Sequence, residues 1–237
     1  MYETEWFGLR FEDIVRTSAF NLAGQPFYEE FYRRFFEVYT SYEDLPETWR
    51  RDKSAVAGWI KDRIAVDDQV LSIGCGIGFV ESVLLSRGLA RNRLSVTDIS
   101  ASALRWLSAE IDSSRIHIGH IPYCLPQDRK YNVAYLVAAE YALSDPDLIA
   151  LLATLRERLQ EGGALLLISA SIDSRKSIAL DSVKDIVRWT LHCVKLRDIG
   201  QFWGWARRPD EIILLLKKSG FGQVHFEAPH SFEAKVS

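Results

Sequence analysis

Three glycines at alternate positions, Gly74, Gly76 and Gly78, form the segment whose residue types most clearly indicate chemistry. They follow directly on the apolar run 70–73, and a helical pattern begins where they end. A glycine turn between a strand and a helix lets the backbone approach a ligand closely, and the free N–H groups of the helix face that ligand. The spacing therefore predicts a nucleotide cofactor held on main-chain atoms.

Asp98 ends the next predicted strand, 20 to 24 residues after the glycines. A carboxylate at that place can accept hydrogen bonds from both hydroxyls of a ribose. The alternative role is a helix cap, for which Ser100 is equally suited. A dinucleotide site of the pattern G-x-G-x-x-G would need glycine where Phe79 stands, so an NAD-dependent oxidoreductase is the less favoured interpretation.

The strand, the G-x-G-x-G turn and the acid after the second strand resemble the class I S-adenosylmethionine-dependent methyltransferases of the small-molecule type. The resemblance covers residues 48–170 and, more loosely, 209–236. It departs at Ser72, where the family has an acid, and at His120, where the family has Asp. It implies S-adenosylmethionine as cofactor and S-adenosylhomocysteine as product. The implied cofactor contacts are Gly74, Cys75, Gly76, Gly78, Asp98, Ile99, His120, Ile121 and Ala138.

Three residues are candidates for catalysis, and three for substrate binding. Glu140 and Tyr141 follow the fourth strand, which lies beside the sulfonium and the acceptor in the family, and His192 is the third catalytic candidate. Glu140 is expected to act as a base or to orient the acceptor, the alternative being a solvated carboxylate. The substrate candidates are Trp203, Trp205 and Arg207. Arg207 could clamp an anionic group of the acceptor or belong to a solvated pair with Arg208.

Alternating short apolar strands and helical patterns from residue 69 onward are expected to position these residues. Such alternation indicates βαβ units and a parallel sheet covered on both faces. The strands are predicted at 69–74, 93–98, 115–119, 132–138, 164–170, 223–227 and 231–236. The helices are predicted at 78–87, 101–109, 146–160, 177–194 and from Pro209 to Gly220. The fold class is α/β: a Rossmann-like, mostly parallel seven-stranded sheet with a terminal antiparallel hairpin.

The N-terminal part differs in composition, since 15 of the 28 aromatic residues lie in the first 60 positions. Their spacing of one, three and four between Phe27 and Tyr42 predicts a helix with a broad aromatic face. A second amphipathic helix is predicted at 47–64. We expect a helical cap (1–64) and a cofactor-binding domain (65–237) with a helical substrate-cover insertion (171–208). Most of the cap aromatics are interpreted as core.

The net charge and the cysteine content limit the kinds of partner and site that we expect. The net charge is −3 with no basic excess, so nucleic acid is not expected as a partner. The three cysteines are far apart, and neither a disulfide framework nor a metal site is predicted. Without a signal-peptide pattern or a long apolar run, we expect a cytoplasmic protein that does not contact membranes. A homodimer remains open.

Together, these expectations predict that the protein transfers a methyl group to oxygen or nitrogen of a small metabolite. A catalytically silent methyltransferase-like binding protein is the main alternative, because of Ser72 and His120. Donation of a group other than methyl from the same cofactor also stays open.

Overall fold

The computed structural model describes residues 1–170, 186–187, 189–190, 200–227 and 229–236. The predicted helix 177–194, with His192, lies outside these residues except for four positions. The division into a cap, a main domain and an insertion stays a prediction.

A seven-stranded sheet organises the described chain. Its strands are β1 (Val70–Ile73), β2 (Leu94–Asp98), β3 (Ile116–Ile118), β4 (Tyr131–Val137), β5 (Leu159–Ile168), β6 (Gln223–Glu227) and β7 (Ser231–Lys235). Their order across the sheet is β6-β7-β5-β4-β1-β2-β3. Strands β1 to β5 pair in parallel, and β7 runs antiparallel to both β5 and β6. The predicted sheet and its closing hairpin are confirmed.

Helices cover both faces of this sheet, so β1 and β2 are buried along their whole length. The helices are α1 (Gln25–Val38), α2 (Glu47–Lys61), α3 (Phe79–Ser86), α4 (Asp145–Arg158) and α5 (Pro209–Lys218). Side chains of α2 and α3 pack in the core on one face, and those of α4 and α5 pack on the other. This burial explains why the central strands β4 and β5 carry long apolar runs rather than an alternating pattern.

The cap packs its aromatic face onto the start of α3. Phe31 and Phe35 of α1 are completely buried, in a cluster that also contains Ile77 and Phe79. The interpretation of most cap aromatics as core is therefore confirmed. Two pairs of two-residue strands complete this region: Tyr2–Glu3 pairs with Gln201–Phe202, and Glu5–Trp6 pairs with Leu9–Arg10.

One predicted helix is wrong. Residues 101–109 form two short 3-10 turns, Ser102–Leu104 and Leu107–Ala109, instead of a continuous helix. The Glu29 carboxylate of α1 accepts hydrogen bonds from the amides of Ala101 (2.7 Å) and Ser102 (3.1 Å). The Trp106 ring packs against Phe36 of α1 at a centroid distance of 4.8 Å. Contacts with the cap thus shape this segment and override its local helical pattern.

Candidate active site

The glycine turn between β1 and α3 is shaped by the residues around it. Gly74, Gly76 and Gly78 all have positive φ. A Cβ at Gly76 would lie 3.1 Å from the Tyr32 hydroxyl, which approaches the turn from α1. A Cβ at Gly78 would lie only 2.7 Å from the Leu107 side chain. The turn therefore needs glycine both for its backbone conformation and for close packing.

Asp98 faces this turn from the end of β2. Its Oδ2 accepts a hydrogen bond from the Gly76 amide (2.8 Å), and its Oδ1 accepts one from the Ser100 amide (2.9 Å). Burial raises the pKa of the Asp98 carboxyl, and the two amides oppose that rise. Each oxygen keeps acceptor capacity for a further donor, because a carboxylate offers about four lone-pair sites.

A cavity of about 980 Å³ opens at the carboxyl ends of β1, β2 and β4. Ligands of open α/β sheets bind at this edge. Eight of the nine predicted cofactor contacts line the cavity: Gly74, Cys75, Gly76, Asp98, Ile99, His120, Ile121 and Ala138. Gly78 is not among the lining residues; it serves the packing against Leu107. Ala138 has a φ of 50°, a strained conformation at the end of β4.

Aromatic side chains form much of the remaining wall of the cavity. They come from the cap and from the segments after β1, β4 and β5: Trp6, Phe7, Tyr28, Tyr32, Trp49, Phe79, Tyr141 and Trp203. The rings of Tyr141 and Trp203 stack with centroids 6.2 Å apart. Burial raises the pKa of the Tyr141 hydroxyl, which therefore stays protonated and can donate a hydrogen bond. Two sequence candidates, Tyr141 and Trp203, thus share one wall.

Comparison with known proteins decides the family. A family model described as a methyltransferase domain matches residues 41–225, most of the chain. The chain belongs to this methyltransferase family.

The fold agrees with this membership. Magnesium protoporphyrin IX methyltransferase from Synechocystis PCC 6803, solved with S-adenosylhomocysteine, is 15% identical with a TM-score of 0.60, covering 90% of this chain and 97% of that one. The S-adenosylmethionine-dependent methyltransferase SibL is 18% identical with a TM-score of 0.58, covering 79% of this chain and 55% of that one. These likenesses concern the fold alone. The chain thus carries a methyltransferase domain on the Rossmann-like fold that these proteins share.

A curated relative matches about half of this chain. The tRNA U34 carboxymethyltransferase of Nautilia profundicola is 27% identical over 135 residues, which are 53% of this chain. The chain spans only 42% of that relative's length. None of the described helices of this methyltransferase has the length and apolar character needed to cross a lipid bilayer.

The expectation that Arg207 clamps a substrate is wrong. Its guanidinium is buried and donates to the carbonyls of Glu140 (2.7 Å) and Leu143 (2.5 Å) and to the carboxylate of Asp145 (2.9 Å). These bonds engage Nε and both terminal nitrogens and hold the segment after β4. Arg207 is therefore a structural anchor of this methyltransferase and does not line the cavity.

The expectations for Glu140 and Trp205 also need correction. The Glu140 carboxylate accepts hydrogen bonds from the Ser169 hydroxyl and the Ala170 amide, so it joins the ends of β4 and β5. It is almost fully buried and is not a lining residue of the cavity. Trp205 is 37% exposed and packs edge-on against Phe202, also away from the cavity. His192 lies outside the described residues.

Sequence reasoning missed three charged residues of the cavity, which are Glu81 of α3, Lys53 of α2 and Asp147 of α4. Glu81 stands three positions after the end of the turn, and an acidic residue on the inward face of α3 was the signal that could have revealed it. Its carboxylate accepts hydrogen bonds from Ser72 (2.6 Å) and Tyr135 (2.8 Å), so a buried acid does reach the strand whose own acid is absent.

Proposed function

We propose that this methyltransferase transfers a methyl group to oxygen or nitrogen of a small-molecule acceptor held in the aromatic part of the cavity. The observation that carries the proposal is one continuous cavity that contains both the glycine turn with Asp98 and the stacked pair Tyr141 and Trp203. Its volume of about 980 Å³ is at the upper end of the range of ligand pockets. That size suits a cofactor together with a small acceptor.

The residues divide into two groups along the cavity. Gly74, Gly76 and Asp98 would hold the ribose of the cofactor and the atoms that lie against the main chain of the glycine turn. Cys75, Ile99, His120, Ile121 and Ala138 would complete its surroundings. The cofactor supplies an electrophilic methyl group on a sulfonium. The protein's part is to align the acceptor with that methyl and to exclude water, which can account for roughly 7–11 kcal/mol in well-aligned cases.

Tyr141 and Trp203 would position the acceptor. The protonated Tyr141 hydroxyl can donate to an acceptor oxygen or nitrogen, and the Trp203 ring offers an apolar surface to a planar group. Trp203 is itself fixed by stacking on Phe11 at a centroid distance of 5.1 Å. The wall is thus preorganised by the cap, which supports a positioning mechanism.

Calorimetry with S-adenosylhomocysteine tests the cofactor site. Asp98→Ala should weaken binding about 10- to 100-fold, because it removes a charged acceptor and frees the Gly76 amide. Asp98→Asn should have a smaller effect, and Asp128→Ala, a change on an exposed loop, should have none. Absence of binding by the wild type, or unchanged binding in Asp98→Ala, would count decisively against the assignment.

An RNA acceptor is the second candidate, favoured by the curated relative that is named for tRNA. Transfer of label from methyl-labelled S-adenosylmethionine to a panel of small phenols, acids and amines, compared with bulk tRNA, separates the two. Labelling of tRNA alone would refute the small-molecule proposal.

A further inference from the structure

Lys53 places a positive charge in the cavity without a counter-ion. The side chain lines the cavity from α2, and its nearest recorded contact is the Trp49 ring, with Nζ 6.0 Å from the centroid. Among the described residues, none forms a hydrogen bond or an ion pair with its ammonium group. Burial lowers the pKa of Lys53, and the carboxylates of Glu140 and Glu81 oppose that shift. Lys53 is partly buried, and a cation that is partly withdrawn from water is unfavourable unless it is paired, so this position calls for an anionic group of a ligand.

Glu81 presents the opposite charge to the same cavity. The side chain is 2% exposed, and its Oε1 accepts hydrogen bonds from Ser72 and Tyr135. Its Oε2 has no hydrogen-bond partner among the described residues. A buried carboxylate oxygen without a donor is as unfavourable as an unpaired cation. Glu81 therefore calls for a hydrogen-bond donor, and a cationic donor suits it best.

We propose that Lys53 and Glu81 bind the amino-acid end of the cofactor, with its carboxylate on Lys53 and its ammonium group on Glu81. The inference rests on the proposed cofactor site, since the glycine turn and Asp98 line the same cavity. The methionine end of S-adenosylmethionine carries one negative and one positive charge, which match an unpaired cation and an unpaired carboxylate oxygen. The pair of residues also gives a function to Ser72, which orients Glu81.

The test compares S-adenosylhomocysteine with methylthioadenosine, which lacks the amino-acid end. Lys53→Met should bind S-adenosylhomocysteine about 10- to 100-fold more weakly than wild type and bind methylthioadenosine within about twofold of it. Lys53→Arg keeps the charge and should retain most of the affinity. Lys61→Met, on the same helix but not lining the cavity, is the matched control and should change neither. Glu81→Gln should show the same selective loss as Lys53→Met.

A decarboxylated analogue of the cofactor assigns the carboxylate to Lys53. Removing the carboxylate should weaken binding to the wild type and leave binding to Lys53→Met nearly unchanged, because the two changes delete one interaction. This comparison of two proteins with two ligands tests the role of Lys53 even if Glu81→Gln fails to fold. Two results would overturn this inference and leave the proposed function standing. One is equal affinity of the wild type and Lys53→Met for S-adenosylhomocysteine, and the other is a loss of affinity in Lys53→Met that is equally large for methylthioadenosine. A wild type that binds neither compound overturns the proposed function with it.

Discussion

Replacing Arg207 by methionine tests whether this residue anchors the fold or binds substrate. Its guanidinium makes three hydrogen bonds, two to main-chain carbonyls and one to the Asp145 carboxylate, and its side chain is 4% exposed. Asp145 itself is 65% exposed, so water would partly solvate it after the change. The main loss comes from the two carbonyls left without donors inside the protein. Each buried acceptor left without a donor costs about 1–3 kcal/mol, so the two carbonyls together cost about 2–6 kcal/mol.

We therefore expect Arg207→Met to lower the free energy of unfolding by about 2–6 kcal/mol in urea denaturation. Arg208→Met is the matched control. Its side chain is 31% exposed and pairs with exposed Asp210, so the loss should stay below about 1 kcal/mol. Wild-type stability in Arg207→Met, combined with weaker acceptor binding, would refute the anchor role and restore the substrate clamp.

Two further changes probe the turn and the buried acid. Gly78→Ala combines a φ of +77° with a Cβ only 2.7 Å from the Leu107 Cβ, so it should destabilise the protein by about 2–4 kcal/mol. Wild-type stability of this variant in urea denaturation would contradict both the backbone strain and the close packing at the turn. Burial raises the pKa of Glu81 above its ordinary value of 4.5. The folded state then binds more protons than the unfolded state, so stability should fall as pH rises from the unfolded pKa through the raised one. The free energy of unfolding, measured at several pH values in that range, should depend less on pH in Glu81→Gln than in the wild type. An equal pH dependence in both proteins would contradict the raised pKa.

The sheet could be predicted because its signals are local. Continuous apolar strands, the glycine turn and the Pro209 helix start depend on residues close in sequence, and the strands follow with shifts of a few residues at their ends. Residues 101–109 could not be predicted in the same way, because Glu29 and Phe36, far away in sequence, decide their conformation. Sequence patterns do not reveal such distant partners.

The same distinction between local signals and distant partners applies to the candidate site. Main-chain features, such as the turn and the strand end that carries Asp98, follow from spacing and lie at the cavity. The direction of a side chain beyond a strand end depends on which donors surround it. Glu140 stands where the family pattern favours function, and Arg207 stands in a segment expected to cover the substrate. Ser169, Ala170 and the carbonyl of Leu143 nevertheless draw their polar groups into structural hydrogen bonds.

Ser72 shows why a departure from a family pattern is weak evidence against activity. Read position by position, the strand loses a carboxylate, and this loss supported the idea of a silent relative. In three dimensions the carboxylate of Glu81 reaches the same strand from α3, accepts the hydrogen bond of Ser72 and leaves its other oxygen without a hydrogen-bond partner among the described residues, and the residue lines the cavity. A degenerate site would have no reason to maintain a buried acid with one unpartnered oxygen, because such a group lowers stability unless a ligand compensates it. Glu140 also buries an oxygen without a hydrogen-bond partner, but it does not line the cavity. The place of Glu81 in the cavity wall, together with its burial, therefore argues that this residue serves binding.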